Sequence, residues 1–387
     1  LGFVPRMNTL RILGSAFLLD LLAVSFVFVF GSAYLLNRLN APPAYPGYAL
    51  AVYGLVKLIV APAGGWLLNK AGARVGVGVS LALTAAGIPI ALRSGSAAGF
   101  LVCVAFLAAG VSLAWLAVFA VAGRDTEAAE HGPLGAWMGL TAVAATGVAL
   151  GVGSLLATAH SFSPAAIFAL GVSVVFAALL LGAGTTVARE ALAPARLDWS
   201  RAGEGVAPLG AVLFAHFAVT TGAAAIFIPF LLRSLGLQTH WALVVVAPGG
   251  ALAAATMLWS GRHTLKGRRF ALAGLFYLAA AVALVAASPV DEPWLVAVIA
   301  VPLVAGFAGV VPQVNAAVLG VSRRAAGKGG ALGWVFLAEG LGAVAGPLAA
   351  GGAISLIGIR ASLAGAGLVV AALAVTLTIA GRTKWLP

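Results

Sequence analysis

Apolar runs long enough to cross a lipid bilayer recur along this chain, separated mostly by short, basic intervals. A membrane-spanning helix needs about 20 apolar residues. On that scale the sequence reads as twelve spans, at 10–36, 47–68, 75–92, 98–122, 134–159, 164–187, 208–232, 241–260, 270–288, 294–320, 330–357 and 361–380. The longest polar stretch, 188–207, carries Arg189, Glu190, Arg196, Asp198, Arg201 and Glu204. The expected organisation is a six-helix half (1–187), a cytoplasmic linker (188–207) and a second six-helix half (208–387). The fold class is an all-α membrane protein of twelve transmembrane helices in two pseudo-symmetric halves, an arrangement that places a binding site near the bilayer midplane.

Composition excludes the soluble alternative. Hydrophobic residues make up 62% of the chain and charged residues 8%, against about 25% charged in a soluble domain. The first run is too long for a signal-peptide core and lacks a cleavage site, so it reads as a span. Cys103 lies alone inside an apolar run, which rules out a disulfide framework. The net charge of +12 falls in small groups between spans rather than on one face or tail, which argues for orientation in a membrane and against nucleic acid as partner. With both termini cytoplasmic, seventeen Lys and Arg fall on the inner side and only Arg38, Arg93, Arg233 and Arg360 outside. That bias fixes the expected topology in the plasma (inner) membrane. No Walker-type phosphate loop, nucleophile–base pair or metal-ligand spacing is present, so neither an enzyme, a cofactor nor a metal site is expected.

The turn after the second run reads Gly65-x3-Asn69-Lys70-x-Gly72-x-Arg74, basic throughout, with about five residues to reverse the chain. It resembles the loop between helices 2 and 3 of the major facilitator superfamily, Gly-x3-Asp-(Arg/Lys)-x-Gly-x-(Arg/Lys), with Asn69 where the family has Asp. The corresponding second-half loop, Trp259 to Arg269, resembles a degenerate copy at its Gly267-Arg268-Arg269 end. In span 11, Gly342-x3-Gly346-Pro347-x3-Gly351 is similar to a Gly/Pro motif that family antiporters carry in span 5. These glycines serve either tight packing or a gating bend. In the family the loop Asp latches the cytoplasmic ends of the two halves. The neutral Asn69 implies a weaker latch and a larger inward-facing population.

Three ionisable residues lie at mid-span depth: Asp20 and Lys57, about ten residues into spans 1 and 2, and Glu339, about nine into span 11. A charge there costs at least ~2.5–3.5 kcal/mol, so such groups pair or face water. The resemblance implies that spans 2 and 11 face each other, which would set Lys57 opposite Glu339. Two acids and one base form an unequal set in which a carboxylate is driven toward its protonated form, the requirement for proton coupling; a static packing pair is the alternative. His216 in span 7 is either a proton relay or a hydrogen-bonded packing residue. Gln313 and Asn315 follow Pro312 in span 10 as polar substrate contacts or helix–helix hydrogen bonds.

The resemblance makes spans 1, 4, 7 and 10 the cavity walls, which here offer Phe26, Phe28, Trp115, Phe119, Phe214, Phe217, Phe227 and Phe307. Such walls suit an apolar or amphiphilic solute. Span 4 has no Arg where many proton-driven exporters of the family carry one. The expected function is secondary active transport by alternating access: proton-coupled export of a small amphiphilic or hydrophobic compound. Proton-coupled uptake of an organic solute, a lipid flippase and a non-transporting receptor on the same fold are the alternatives. The partners expected are a small-molecule substrate and the bilayer, around a monomer.

Overall fold

The computed structural model describes residues 5–24, 39–40, 45–93, 95–158, 171–172, 174–180, 206–234, 239–264, 269–324 and 328–380. Phe26, Phe28 and Arg38, most of the sixth expected span, most of the 188–207 linker, Lys266, Arg268, Arg382 and Lys384 lie outside the described residues. The described residues form helices and turns, with no strand among them. The helices are α1 (Met7–Val24), α2 (Tyr45–Ala71), α3 (Ala73–Arg93), α4 (Ala97–Asp125), α5 (His131–Thr158), α6 (Val206–Ser234), α7 (Thr239–Arg262), α8 (Arg269–Ala287), α9 (Pro293–Arg324) and α10 (Lys328–Ala380). Helix is the form that lets an apolar segment satisfy its own backbone polar groups in lipid. Seven stretches among the described residues are long and apolar enough to cross a membrane. The last of them, Ala331–Ala380, holds the final two expected spans.

Two glycines set sharp reversals. Gly358, with φ 78° and ψ 166°, interrupts α10 between the runs expected to be spans 11 and 12. Gly72, with φ 85°, is the whole connection between α2 and α3. The five-residue turn expected from sequence is thus corrected to one residue, because α2 continues through Asn69 and Lys70. Gly72 N–H donates to Leu68 O at 3.0 Å and its carbonyl accepts from Gly76 N–H at 3.2 Å, so the glycine closes one helix and opens the next. A left-handed residue just past a helix end favours glycine, which has no Cβ to clash.

The chain divides into two compact units. Unit 1 comprises Leu1–Thr126, Thr141–Ala202 and Val321–Leu337. Unit 2 comprises Glu127–Leu140, Gly203–Gly320 and Ala338–Pro387. In unit 1, α4 is the central helix, with α1, α2 and α3 packed on it. Its Gly110 sits against Ser80 and Thr84 of α3, and Ser80 Oγ donates to the Gly110 carbonyl at 2.8 Å. A Cβ at Gly110 would overlap α3, so the small residue is what allows this approach.

Unit 2 repeats the device. Gly306 of α9 lies against Phe276 and Ala280 of α8. Gly342 and Gly346 of α10 lie against the α6 backbone at Phe214 and Ala218, and Gly222 of α6 faces Gly346 in return. The start of α5 also packs here, with Gly132 on Gly261 and Thr264, Gly135 on Pro312 and Asn315, and Gly139 on Val311 and Met257. Reciprocally, the start of α10 packs in unit 1, where Gly333 lies on Ala61 and Pro62 of α2.

Candidate functional site

Asp20 anchors the polar chemistry of unit 1. It sits on α1, only 8% exposed. Trp115 of α4 donates its Nε1–H to Asp20 Oδ2 at 2.9 Å. Whenever the carboxyl is ionised this bond is charge-assisted, about twice as strong as a neutral one. Trp115 in turn lies 6.4 Å from the Phe119 ring, and Phe119 meets Phe336 of α10 edge-on at 5.2 Å. The carboxylate and an aromatic row are therefore one connected structure. Lys57 of α2 is half-buried, with Nζ 5.2 Å from the Tyr53 ring centroid. Asp20 and Lys57 belong to unit 1, whereas Glu339, also 8% exposed, belongs to unit 2.

In unit 2 the buried His216 shares a hydrogen bond through Nδ1 with the hydroxyl of Tyr277, which is itself fully buried on α8. When His216 carries its proton on Nε2, the tyrosine donates. Phe217 meets the imidazole edge-on at 5.0 Å, and Phe307 of α9 meets the Tyr277 ring at 6.1 Å. Tyr277 is a buried hydroxyl beside His216 that the sequence did not single out. Its signal was available: a lone hydroxyl in an apolar helix must find a partner.

Gln313 and Asn315 make helix–helix hydrogen bonds. Gln313 is 0% exposed, and its Nε2 donates to Ser260 O at 2.9 Å and Ser260 Oγ at 2.8 Å. Asn315 Nδ2 donates to the Gly135 carbonyl of α5 at 3.1 Å. These bonds tie α9 to its neighbours in unit 2.

In the basic turn, Gly65 is buried, Asn69 half-buried, and Lys70 and Arg74 exposed on either side of Gly72. Of the α10 residues, Gly342 and Gly346 are packed against α6 and Pro347 is half-buried, whereas Gly351 is exposed with open space around it. Phe214 is exposed and Phe227 buried. Among the described residues no group of three or more His, Cys, Asp or Glu could hold a metal ion.

Long apolar helices packed through small residues, with the carboxyl groups of Asp20 and Glu339 buried among them, define a multi-pass α-helical membrane protein. A sequence profile of the Major Facilitator Superfamily matches residues 13–329. The chain belongs to that superfamily. It is similar in structure to the human organic anion transporter MFSD10 (TETRAN), with TM-score 0.74 and 15% identity over 97% of this chain and 100% of that one. It is also similar to the proton:xylose symporter XylE bound to 6-bromo-6-deoxy-D-glucose, with TM-score 0.78 and 15% identity over 99% of this chain and 97% of that one. At that identity the likeness is one of fold. No curated protein sequence matches the chain.

Proposed function

We propose that this superfamily member exports a small amphiphilic or hydrophobic compound by alternating access, driven by protons. In this reading it works as a monomer in the plasma (inner) membrane, with both termini cytoplasmic, protons as coupling ion and no cofactor. The observation that carries the proposal is the bond from Trp115 Nε1–H to Asp20, because it joins a titratable group to an aromatic wall. With Asp20 ionised, the charge-assisted bond pins the indole. A proton arriving on the carboxylate reduces that bond to a neutral one and frees the indole to shift against Phe119. Proton occupancy and the shape of an apolar binding surface are then linked in one step, which is what coupling requires. Lys57, Glu339 and His216 enter this reading as charge partner, second carboxylate and relay.

Purified protein in liposomes with an imposed pH gradient, assayed for efflux and uptake of amphiphilic probes, tests the proposal. Asp20→Asn keeps an acceptor for Trp115 but cannot titrate. Gradient-driven transport is expected to vanish in this variant while probe binding in detergent persists. Driven transport by Asp20→Asn at the wild-type rate would overturn Asp20 as the coupling group, and accumulation on the opposite side of the membrane would assign uptake instead.

A further inference from the structure

Two exposed tryptophans stand at the ends of helices, each with a basic side chain one turn further on. Trp66 of α2 is 60% exposed, and Lys70 holds Nζ 5.0 Å from the centre of its ring. Trp259 of α7 is 50% exposed, and the His263 ring stacks on it at 4.4 Å with the planes 26° apart. His263 Nδ1–H donates to the Trp259 carbonyl at 2.8 Å, which fixes the stack, and Phe276 supports the indole edge-on at 6.1 Å. Each pair uses the i, i+4 spacing that brings two side chains together on a helix. Each also has an exposed arginine close by, Arg74 beyond the first and Arg262 within the second. No acidic residue occurs between Gly64 and Gly76 or between Met257 and Arg269.

Retaining a turn on one side of a membrane needs its positive charge alone. It does not need that charge seated on an indole face, as at Lys70, nor a second exposed indole buttressed by a ring beside an arginine, as at Trp259. Tryptophan settles at the boundary between acyl chains and headgroups, and a cation resting on its face is held at that depth, partly stripped of water. That is the depth of a phospholipid phosphate. We propose that the Trp66–Lys70 and Trp259–His263 pairs are two binding sites for acidic glycerophospholipid. At the first the phosphate meets Lys70 and Arg74, and at the second it meets Arg262 while the stacked His263 ring holds the indole in place; in each the indole packs on the glycerol and upper acyl chain. A Lys or Arg near an anionic surface enriches acidic lipid about fivefold. The charge complementarity of these acid-free turns selects an acidic lipid over a zwitterionic one.

The test uses the full chain in bilayer discs of mixed phosphatidylcholine and phosphatidylglycerol, followed by native mass spectrometry of the released protein. Wild type is expected to retain two phosphatidylglycerol molecules in preference to phosphatidylcholine. W66L/K70Q and W259L/H263Q are each expected to lose one, with unchanged melting temperature. Equal retention of the two lipids by wild type, or an unchanged phosphatidylglycerol count in both variants, overturns the proposal. A second measurement on wild type needs no variant: quenching of tryptophan fluorescence by dibrominated phosphatidylglycerol should exceed that by dibrominated phosphatidylcholine, and equal quenching counts against the sites. Excess inorganic phosphate should leave the preference intact; displacement of the lipid by it would show a site for free anions rather than lipid.

Discussion

A carboxylate on α1 and an indole on α4 lie 95 residues apart in sequence and 2.9 Å apart in space. Hydrogen bonds to charged groups contribute about 1.5–3 kcal/mol, so Trp115→Phe is expected to destabilise the protein on that scale. In a double-mutant cycle with Asp20→Ala the two losses should fall short of additive by a similar amount, read as melting midpoints in detergent. Additive losses would mean the pair contributes nothing. That Asp20 needs shelter was legible in the sequence from its position within an apolar run; its partner was not. A helix that is apolar all round has no polar face to report how it is rotated, so side-chain pairings across helices stay hidden. The same holds for Tyr277 with His216 and for Gln313 with Ser260. Each is a polar group in a largely apolar helix, whose need for a partner is evident but whose choice of partner depends on helix rotation.

Helix crossings follow glycine placement, and α10 shows that one repeated spacing has two different surroundings. At Gly342 and Gly346 an added Cβ would meet the carbonyl oxygens of Phe214 and Ala218, whereas at Gly351 it would meet nothing within 4 Å. Gly346→Val is therefore expected to cost about 1–3 kcal/mol through overpacking, and Gly351→Ala to hold or slightly raise the melting temperature, since Ala is the better helix former. Thermal unfolding of both variants in detergent checks this. Transport by Gly351→Ala then separates the two readings of the motif, because a bend at that glycine would register in rate without lowering stability. The ends of these elements were the better-signalled part. Gly358 falls in the interval between two apolar runs, and Gly72 sits in a turn whose basic residues mark it. The length of that turn was overestimated because charged Lys70 looked like loop, although a helix end at a membrane surface carries a lysine readily.

Across the whole molecule, fold class and family were legible because apolar run length and basic turns are properties of a bilayer solvent, independent of side-chain pairing. The orientation expected from the charge bias is checked with single cysteines. Cys103 is buried, so Cys103→Ala supplies a cysteine-free background. On it, Arg74→Cys should react with an impermeant maleimide only from the cytoplasmic side and Glu292→Cys only from outside. The reverse pattern would invert the topology. Less legible was how helix segments are shared out. The start of α5, early in the chain, packs in unit 2, and the start of α10, late in the chain, packs in unit 1.

Because of that exchange, a cut anywhere in 188–207 would yield two polypeptides, neither holding its complete packing. The later piece would lack Gly132, Gly135 and Gly139 against Gly261, Pro312 and Val311, and the earlier piece would lack Gly333 and Phe336 against Ala61 and Phe119. Each fragment would carry the missing lining of the other. The halves of this chain are thus complementary fragments, divisible as covalent chains yet dependent on one another to finish folding.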